Sequence, residues 1–136
     1  LAVLFVDLDE FKKVNDAHGH KMGDLLLVEI AERMKLVVRR ENDTIARIGG
    51  DEFLVLLTDI EQKSQIETVV AHLFDTFRAP VAVGEPPVRI KVNFSIGVAL
   101  FPEHGQHPDV LIHNADQAMY RVKKEPGKNH FSFFHS

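Results

Sequence analysis

Two acidic pairs in this chain have the residue types and spacing that divalent-metal chemistry needs. Asp7 and Asp9 close a run of six apolar residues, Leu1-Ala-Val-Leu-Phe-Val6. If the extended backbone continues, residues two apart face the same way, so both carboxylates address one site. Hard oxygen ligands at a strand end are what Mg²⁺ takes when a substrate triphosphate supplies the remaining ligands. The plainer alternative is that Asp7 ends the strand and Asp9 caps a following helix. The second pair, Asp51 and Glu52, directly follows Gly49 and Gly50. Two residues without a Cβ let a ligand approach the backbone closely, although Gly-Gly turns flanked by solvated acids are also common. Carboxylates from both clusters on neighbouring strands form a one-metal or two-metal site for phosphoryl transfer.

The elements that must position these groups follow from periodicity. The opening apolar run predicts a central strand buried on both faces. Residues 9–19 read as a short polar helix or turn. Over 22–39 the apolar residues Leu26, Ile30, Met34 and Val37 recur at helical spacing, with Arg39 and Arg40 in a last turn that suits the helix dipole. Residues 43–48 and 53–57 are strand-like, and the Gly49–Gly50 connection predicts a hairpin. A helix over 61–77 places Ile66, Val69, Val70, Leu73 and Phe77 on one face and stops before Pro80. Residues 81–83 and 88–100 read as strands joined by Gly84-Glu-Pro-Pro87, with Ile90, Val92 and Phe94 alternating along the second. A loop over 101–108, a helix over 109–124 and a closing strand over 130–134 complete the chain. The order predicts an α+β domain with a mainly antiparallel sheet and its helices on one side. The start in mid-strand reads as a fragment of a longer multidomain chain.

Composition narrows the function. With 136 residues, 45% hydrophobic and 26% charged, the chain is long and apolar enough for one domain with a real core. A net charge of −4 lacks the basic excess of a nucleic-acid binder. Zero cysteines exclude disulfides, thiolate zinc sites and cysteine nucleophiles. The opening apolar run is far short of the roughly 18 residues that span a bilayer, so no membrane contact by this domain is expected. The eight histidines show no metal-ligand spacing and read as incidental surface residues. Phe101, Phe131, Phe133 and Phe134 read as core or interface residues rather than a base-stacking platform.

Gly49-Gly-Asp-Glu-Phe53, taken with Asp7-Leu-Asp-Glu-Phe-Lys-Lys-Val-Asn-Asp16, Gly19-His20, Gly23-Asp24, Ser95-Ile-Gly-Val-Ala99, Ala115-Asp116 and Met119-Tyr120, resembles the GGDEF family of diguanylate cyclases over essentially the whole chain. The resemblance implies a fold like nucleotide cyclases and polymerase palms: a central, mainly antiparallel five-stranded sheet, flanking helices and a small extra hairpin, here without the family's leading helix. It implies condensation of two GTP into cyclic di-GMP in the cytoplasm, by a homodimer whose two copies each hold one GTP. Asp7 and Asp51 would hold Mg²⁺ (Mn²⁺ in its place), with the Leu8 carbonyl helping. Asn15 and Asp24 would bind the guanine edge, while Phe11, through its backbone, and Lys12 would contact the triphosphate. Gly50 would let the nucleotide lie against the hairpin, and Asp51 or Glu52 would assist deprotonation of the attacking 3′-hydroxyl. Arg40 and Asp43 fall where the family binds cyclic di-GMP as an inhibitor. At the last helix the family has a Lys, two residues, then Gly-Arg-Asn. Here Lys123-Lys-Glu-Pro-Gly-Lys-Asn129 has one residue more, and Lys stands for Arg. Either Lys123 or Lys124 takes the phosphate role, with Lys128 as the second cation. The segment Asn129-His-Phe-Ser-Phe-Phe134 resembles the junction to a downstream EAL domain, so a GTP-binding module that regulates such a phosphodiesterase is the alternative.

Overall fold

Strand β1 (Ala2–Leu8) is buried along its whole length, as its unbroken apolar run requires of a strand with neighbours on both edges. A computed structural model describes residues 1–38, 43–127 and 130–135 of the chain. After β1 come helices α1 (Phe11–His18) and α2 (His20–Val37), strands β2 (Thr44–Gly49) and β3 (Glu52–Leu57), and helix α3 (Lys63–Thr76). Strands β4 (Val81–Val83), β5 (Val88–Ile90) and β6 (Phe94–Leu100), helix α4 (Pro108–Lys124) and strand β7 (His130–Phe133) follow. The main sheet runs β2-β3-β1-β6-β7, antiparallel except for the β6–β7 pair, and β4 and β5 form a separate two-stranded hairpin. The fold is α+β.

The alternation of side chains across the sheet sets two cores. Leu4, Val6, Leu8, Phe53, Val55, Phe94 and Ile96 pack with Leu26, Ile30, Met34, Ile66, Val70 and Leu73 of α2 and α3. Val3, Phe5 and Ala99 face the other way, onto Leu111, Ala115 and Met119 of α4. The helices therefore cover both faces, not one side as the element order suggested. Among the described residues, α4 is the helix that covers the second face, and Asp7 continues the Val3–Phe5 row toward its end.

Two other expectations shift in detail. The single strand expected over 88–100 divides, because residues 91–93 leave the β4–β5 hairpin and enter the main sheet. There the Lys91 ammonium donates to the carbonyl oxygens of Phe77 (3.1 Å) and Arg78, fastening this crossing to the end of α3. The β2–β3 turn is Gly50–Asp51, with Gly49 and Glu52 already paired across it. A register shift between Arg47 and Gly49 moves the tip by one residue.

His104 is not an incidental surface residue. Its Nδ1 accepts the Leu100 N–H at 2.9 Å, its own N–H returns to the Leu100 carbonyl at 2.7 Å, and its carbonyl accepts from Asn114 at 2.7 Å. Burial holds the imidazole below its ordinary value of 6.5, with Glu103 opposing and Lys63 adding to the shift. The folded state thus binds fewer protons than the unfolded one in this window, and the contribution is present above about pH 6.5 and lost below it. Between pH 7.5 and 5.5 the wild-type melting temperature is expected to fall further than that of His104→Asn, whose amide oxygen accepts the same N–H without titrating. Parallel pH profiles for the two proteins in thermal melts would refute this.

Candidate active site

The acidic groups meet because the sheet register puts them side by side. Asp7 of β1 lies opposite Glu52 of β3 on one side and Ser95 of β6 on the other. Directly opposed residues share a face, and this is the face that α4 covers. The hairpin tip is tied to the end of β1 by the Leu8 N–H, which donates to the Asp51 carbonyl at 3.1 Å. Arg47, which the sequence reading passed over, braces the tip from outside: its Nε donates to the Gly50 carbonyl at 3.0 Å and lies 3.4 Å from that of Gly49. Gly50 has nothing within 4 Å of where a Cβ would stand, so the space above the tip is open to a ligand.

Asp7 is only 8% exposed. Its Oδ2 lies 3.1 Å from the Lys123 ammonium, whereas Oδ1 is buried with no hydrogen-bond partner among the described residues. Burial lifts the Asp7 carboxyl from 3.8 to about 6; Lys123 opposes the rise, while Asp51 and Glu52 add to it. Glu52 is also raised, first by burial, then by Asp51 and by Asp116 of α4, with Lys123 opposing. A buried carboxylate oxygen amid like charges is a hard donor of the kind a divalent cation takes. Asp7, Asp51 and the Leu8 carbonyl therefore fit a hard divalent metal. Asp116 was not singled out in sequence as a site residue; only the packing of α4 on β6 reveals its closeness to Glu52.

Lys123 reaches three oxygens: Asp7 Oδ2, the Leu8 carbonyl at 3.4 Å and Asp9 Oδ1 at 3.9 Å. Asp7 and Asp9 do face one place, as their spacing implied, and Ser95 Oγ donates to Asp9 Oδ1 at 2.7 Å. Lys124 instead lies over the Tyr120 ring, 4.4 Å from its centroid. Of the two candidate lysines, Lys123 is the one brought to the acids.

Glu10 takes a left-handed conformation (φ 59°), and this turns the chain sharply from β1 into α1. The turn sets Phe11 and Lys12 at the α1 N-terminus, where unpaired backbone N–H groups favour anions. Asn15 lies against α2 at Gly23, where a Cβ would collide with Asn15 Oδ1 and stand 3.1 Å from the Phe11 ring. Gly23 is thus what allows α1 to sit this close to α2, with Asp24 exposed on the next residue. Asp43 sits at the far end of β2 from the hairpin tip, its Oδ1 accepting from the Thr58 N–H (2.8 Å) and hydroxyl (3.1 Å). Arg40 and Lys128 lie outside the described residues.

Residues 1–130 match the family described as "Diguanylate cyclase, GGDEF domain". This chain belongs to the GGDEF family. Among curated relatives, the domain is 49% identical over 135 residues to MucR of Pseudomonas aeruginosa, a bifunctional diguanylate cyclase/cyclic di-GMP phosphodiesterase, covering 99% of this chain and 19% of that protein. It is 40% identical over 134 residues to PdeR of Escherichia coli, a cyclic di-GMP phosphodiesterase, covering 98% and 20%. The chain thus spans about a fifth of the length of either relative. Among solved structures, the crystal structure of the GGDEF domain of TpbB (YfiN) from P. aeruginosa superposes with a TM-score of 0.93 at 37% identity, covering 99% of this chain and 82% of that one. Among the described residues, no helix of this GGDEF domain is long and apolar enough to cross a membrane.

Proposed function

We propose that this GGDEF domain is an active diguanylate cyclase, joining two GTP into cyclic di-GMP as a homodimer of two facing copies. The observation that carries the reading is the buried Asp7 Oδ1, without a partner among the described residues and set beside Asp51 and Glu52. Asp7 and Asp51, with the Leu8 carbonyl, would hold Mg²⁺ or Mn²⁺. A metal bound there supplies Lewis-acid stabilisation of phosphoryl charge and makes the attacking hydroxyl more acidic. In each of two steps a 3′-oxygen forms a bond to the α-phosphorus of the opposing nucleotide, the bond from that phosphorus to the β-phosphate bridging oxygen breaks, and pyrophosphate leaves. Glu52, whose raised carboxyl is a better proton acceptor than a solvated one, takes the hydroxyl proton, with Asp51 beside it.

Asn15 and Asp24 present a donor and acceptors to the guanine edge, and adenine would leave these groups unpaired. The α1 backbone at Phe11, together with Lys12, Lys123 and Lys128, neutralises the triphosphate, while Lys124, turned over Tyr120, takes no part. Gly50 leaves the nucleotide room on the hairpin. Arg40 and Asp43 would bind the product as an inhibitor. The reading places the domain in the cytoplasm, where GTP is supplied.

The test is chromatography of products after incubation with GTP and Mg²⁺ over a range of protein concentrations. Cyclic di-GMP from GTP and no cyclic dinucleotide from ATP are expected, with specific activity rising with protein concentration. GTP binding without product at any concentration overturns the cyclase reading. The name of PdeR, a cyclic di-GMP phosphodiesterase, favours a second reading: a GTP-binding module that controls an adjacent EAL phosphodiesterase domain. GTP binding without turnover would promote it.

A further inference from the structure

We propose that Asp9, anchored by Ser95, is a positioning residue that receives the Lys123 ammonium when a divalent cation takes Asp7. The inference rests on the metal-site reading above. The ammonium already sits against two of the groups that the reading gives to the metal: it touches Asp7 Oδ2, on the same carboxylate as the unpartnered Oδ1, and the Leu8 carbonyl. Two cations sharing one carboxylate in a poorly hydrated setting repel each other strongly. Loading a metal therefore requires Lys123 to move.

A further acceptor, Asp9 Oδ1, lies 3.9 Å from the ammonium. It is held firmly in place. Ser95 is buried and its hydroxyl donates to that same oxygen, while the Asp9 N–H donates to the Asn93 carbonyl at 2.9 Å. A displacement of about 1 Å in a flexible lysine side chain turns the 3.9 Å approach into a hydrogen bond. The room exists: a cavity of about 230 Å³, whose lining includes Asp9, Glu10, Asn93, Ser95, Lys123 and Gly127, adjoins the acidic cluster. Seated on Asp9, the ammonium clears Asp7 and keeps donors for a phosphate entering that cavity. Asp9 thus acts through Lys123 and not as a metal ligand.

The test is a Mn²⁺ titration of the nucleotide-free protein, followed by the electron paramagnetic resonance signal of free Mn²⁺. Wild type, Lys123→Gln, Asp9→Asn, the double variant and Asp51→Asn are compared. Lys123→Gln is expected to tighten binding several-fold by removing the competitor, and Asp9→Asn to weaken it several-fold by leaving Lys123 on Asp7. In the double variant the Asp9 effect should shrink to about twofold or less, because there is no lysine left to position. If Asp9→Asn weakens binding equally with and without Lys123, Asp9 acts on the ion by charge alone and the proposal falls. Unchanged or weaker binding by Lys123→Gln also overturns it, as does undetectable binding by both wild type and Lys123→Gln. Unaltered binding by Asp51→Asn sinks the metal-site reading, and this inference with it. Loss in Asp51→Asn with additive effects elsewhere sinks the inference alone.

Discussion

Asp7→Asn is expected to abolish cyclic di-GMP formation and at the same time to raise the melting temperature of the metal-free protein. The two effects have one cause. Asp7 is nearly inaccessible, one of its oxygens has no partner among the described residues, and Asp51 and Glu52 add negative charge beside it. Its carboxyl, raised from 3.8 to about 6, favours the protonated form in the folded state. The folded protein binds more protons than the unfolded chain between those values, so stability falls as pH rises through the window. At pH 8 the penalty amounts to at most about 3 kcal/mol. Asn keeps an acceptor for Lys123 and the shape of the side chain but carries no charge, so the metal-free variant should melt several degrees higher. Turnover, in contrast, should drop by about a thousandfold or more, the scale of losing a principal electrostatic contributor to the transition state. Melts in a chelating buffer at pH 8, beside product assays with Mg²⁺, check both halves. A variant that melts below wild type, or keeps a tenth of the activity, contradicts the assignment of Asp7.

Gly97→Ala is expected to be among the most damaging single-methyl changes in the chain. A Cβ at Gly97 would collide with the Ala115 carbonyl oxygen and the Met119 amide nitrogen, and would stand 2.9 Å from the Met119 Cα. All three are backbone atoms of α4, so no side chain can swing aside. The helix must lift from β6 as a body. Overpacking typically costs about 1–3 kcal/mol, and a clash against backbone on this scale belongs at or above the upper end. A fall of about 10 °C in melting temperature follows from that cost for a domain of this size. Activity should suffer beyond the loss of folded protein, because Asp116 and Lys123 ride on the displaced helix. Gly50→Ala is the contrast: with nothing near its Cβ position, it should leave stability within about 0.5 kcal/mol. Denaturant melts of the two variants settle the matter, and a Gly97→Ala protein as stable as wild type would refute the close packing of α4 on β6.

The elements with strong periodicity were legible in the sequence. β1 announced itself because a strand with neighbours on both edges and helices on both faces needs no polar alternation. The helices followed from their apolar stripes. What escaped were features that depend on distant partners. The alternation through Ile90, Val92 and Phe94 continues across residues 91–93, so periodicity alone could not show that Lys91 turns aside to the end of α3. The hairpin tip slipped by one residue through the register shift between Arg47 and Gly49, where Arg47 donates to the Gly50 carbonyl, and no turn preference encodes this. His104 looked like any loop histidine, since its Nδ1 contact is with a backbone amide at the end of β6.

The candidate site divides in the same way. Asp7, Asp9, Asp51 and Glu52 stood out by composition and spacing. Asp116 and Ser95 lay within stretches noted for their resemblance, yet their closeness to the acids depends on the β1–β6 register and on the seat of α4. Nor could the sequence choose between Lys123 and Lys124. The choice is made by helical phase: one points at Asp7, the other returns over Tyr120.

The opposition of Asp7 to Glu52 and Ser95 across paired strands has a consequence for control. Groups fixed by a hydrogen-bonded ladder have no hinge, so the acids possess no open and closed forms to be chosen between. On the proposed reading, a signal can change the output of such a centre only from outside it. It can alter how often two copies meet, or what occupies the space around Gly50 and Lys123. The throttle is then the encounter rate, and the same rigid machinery can be slaved to any upstream device that gathers copies together or holds them apart.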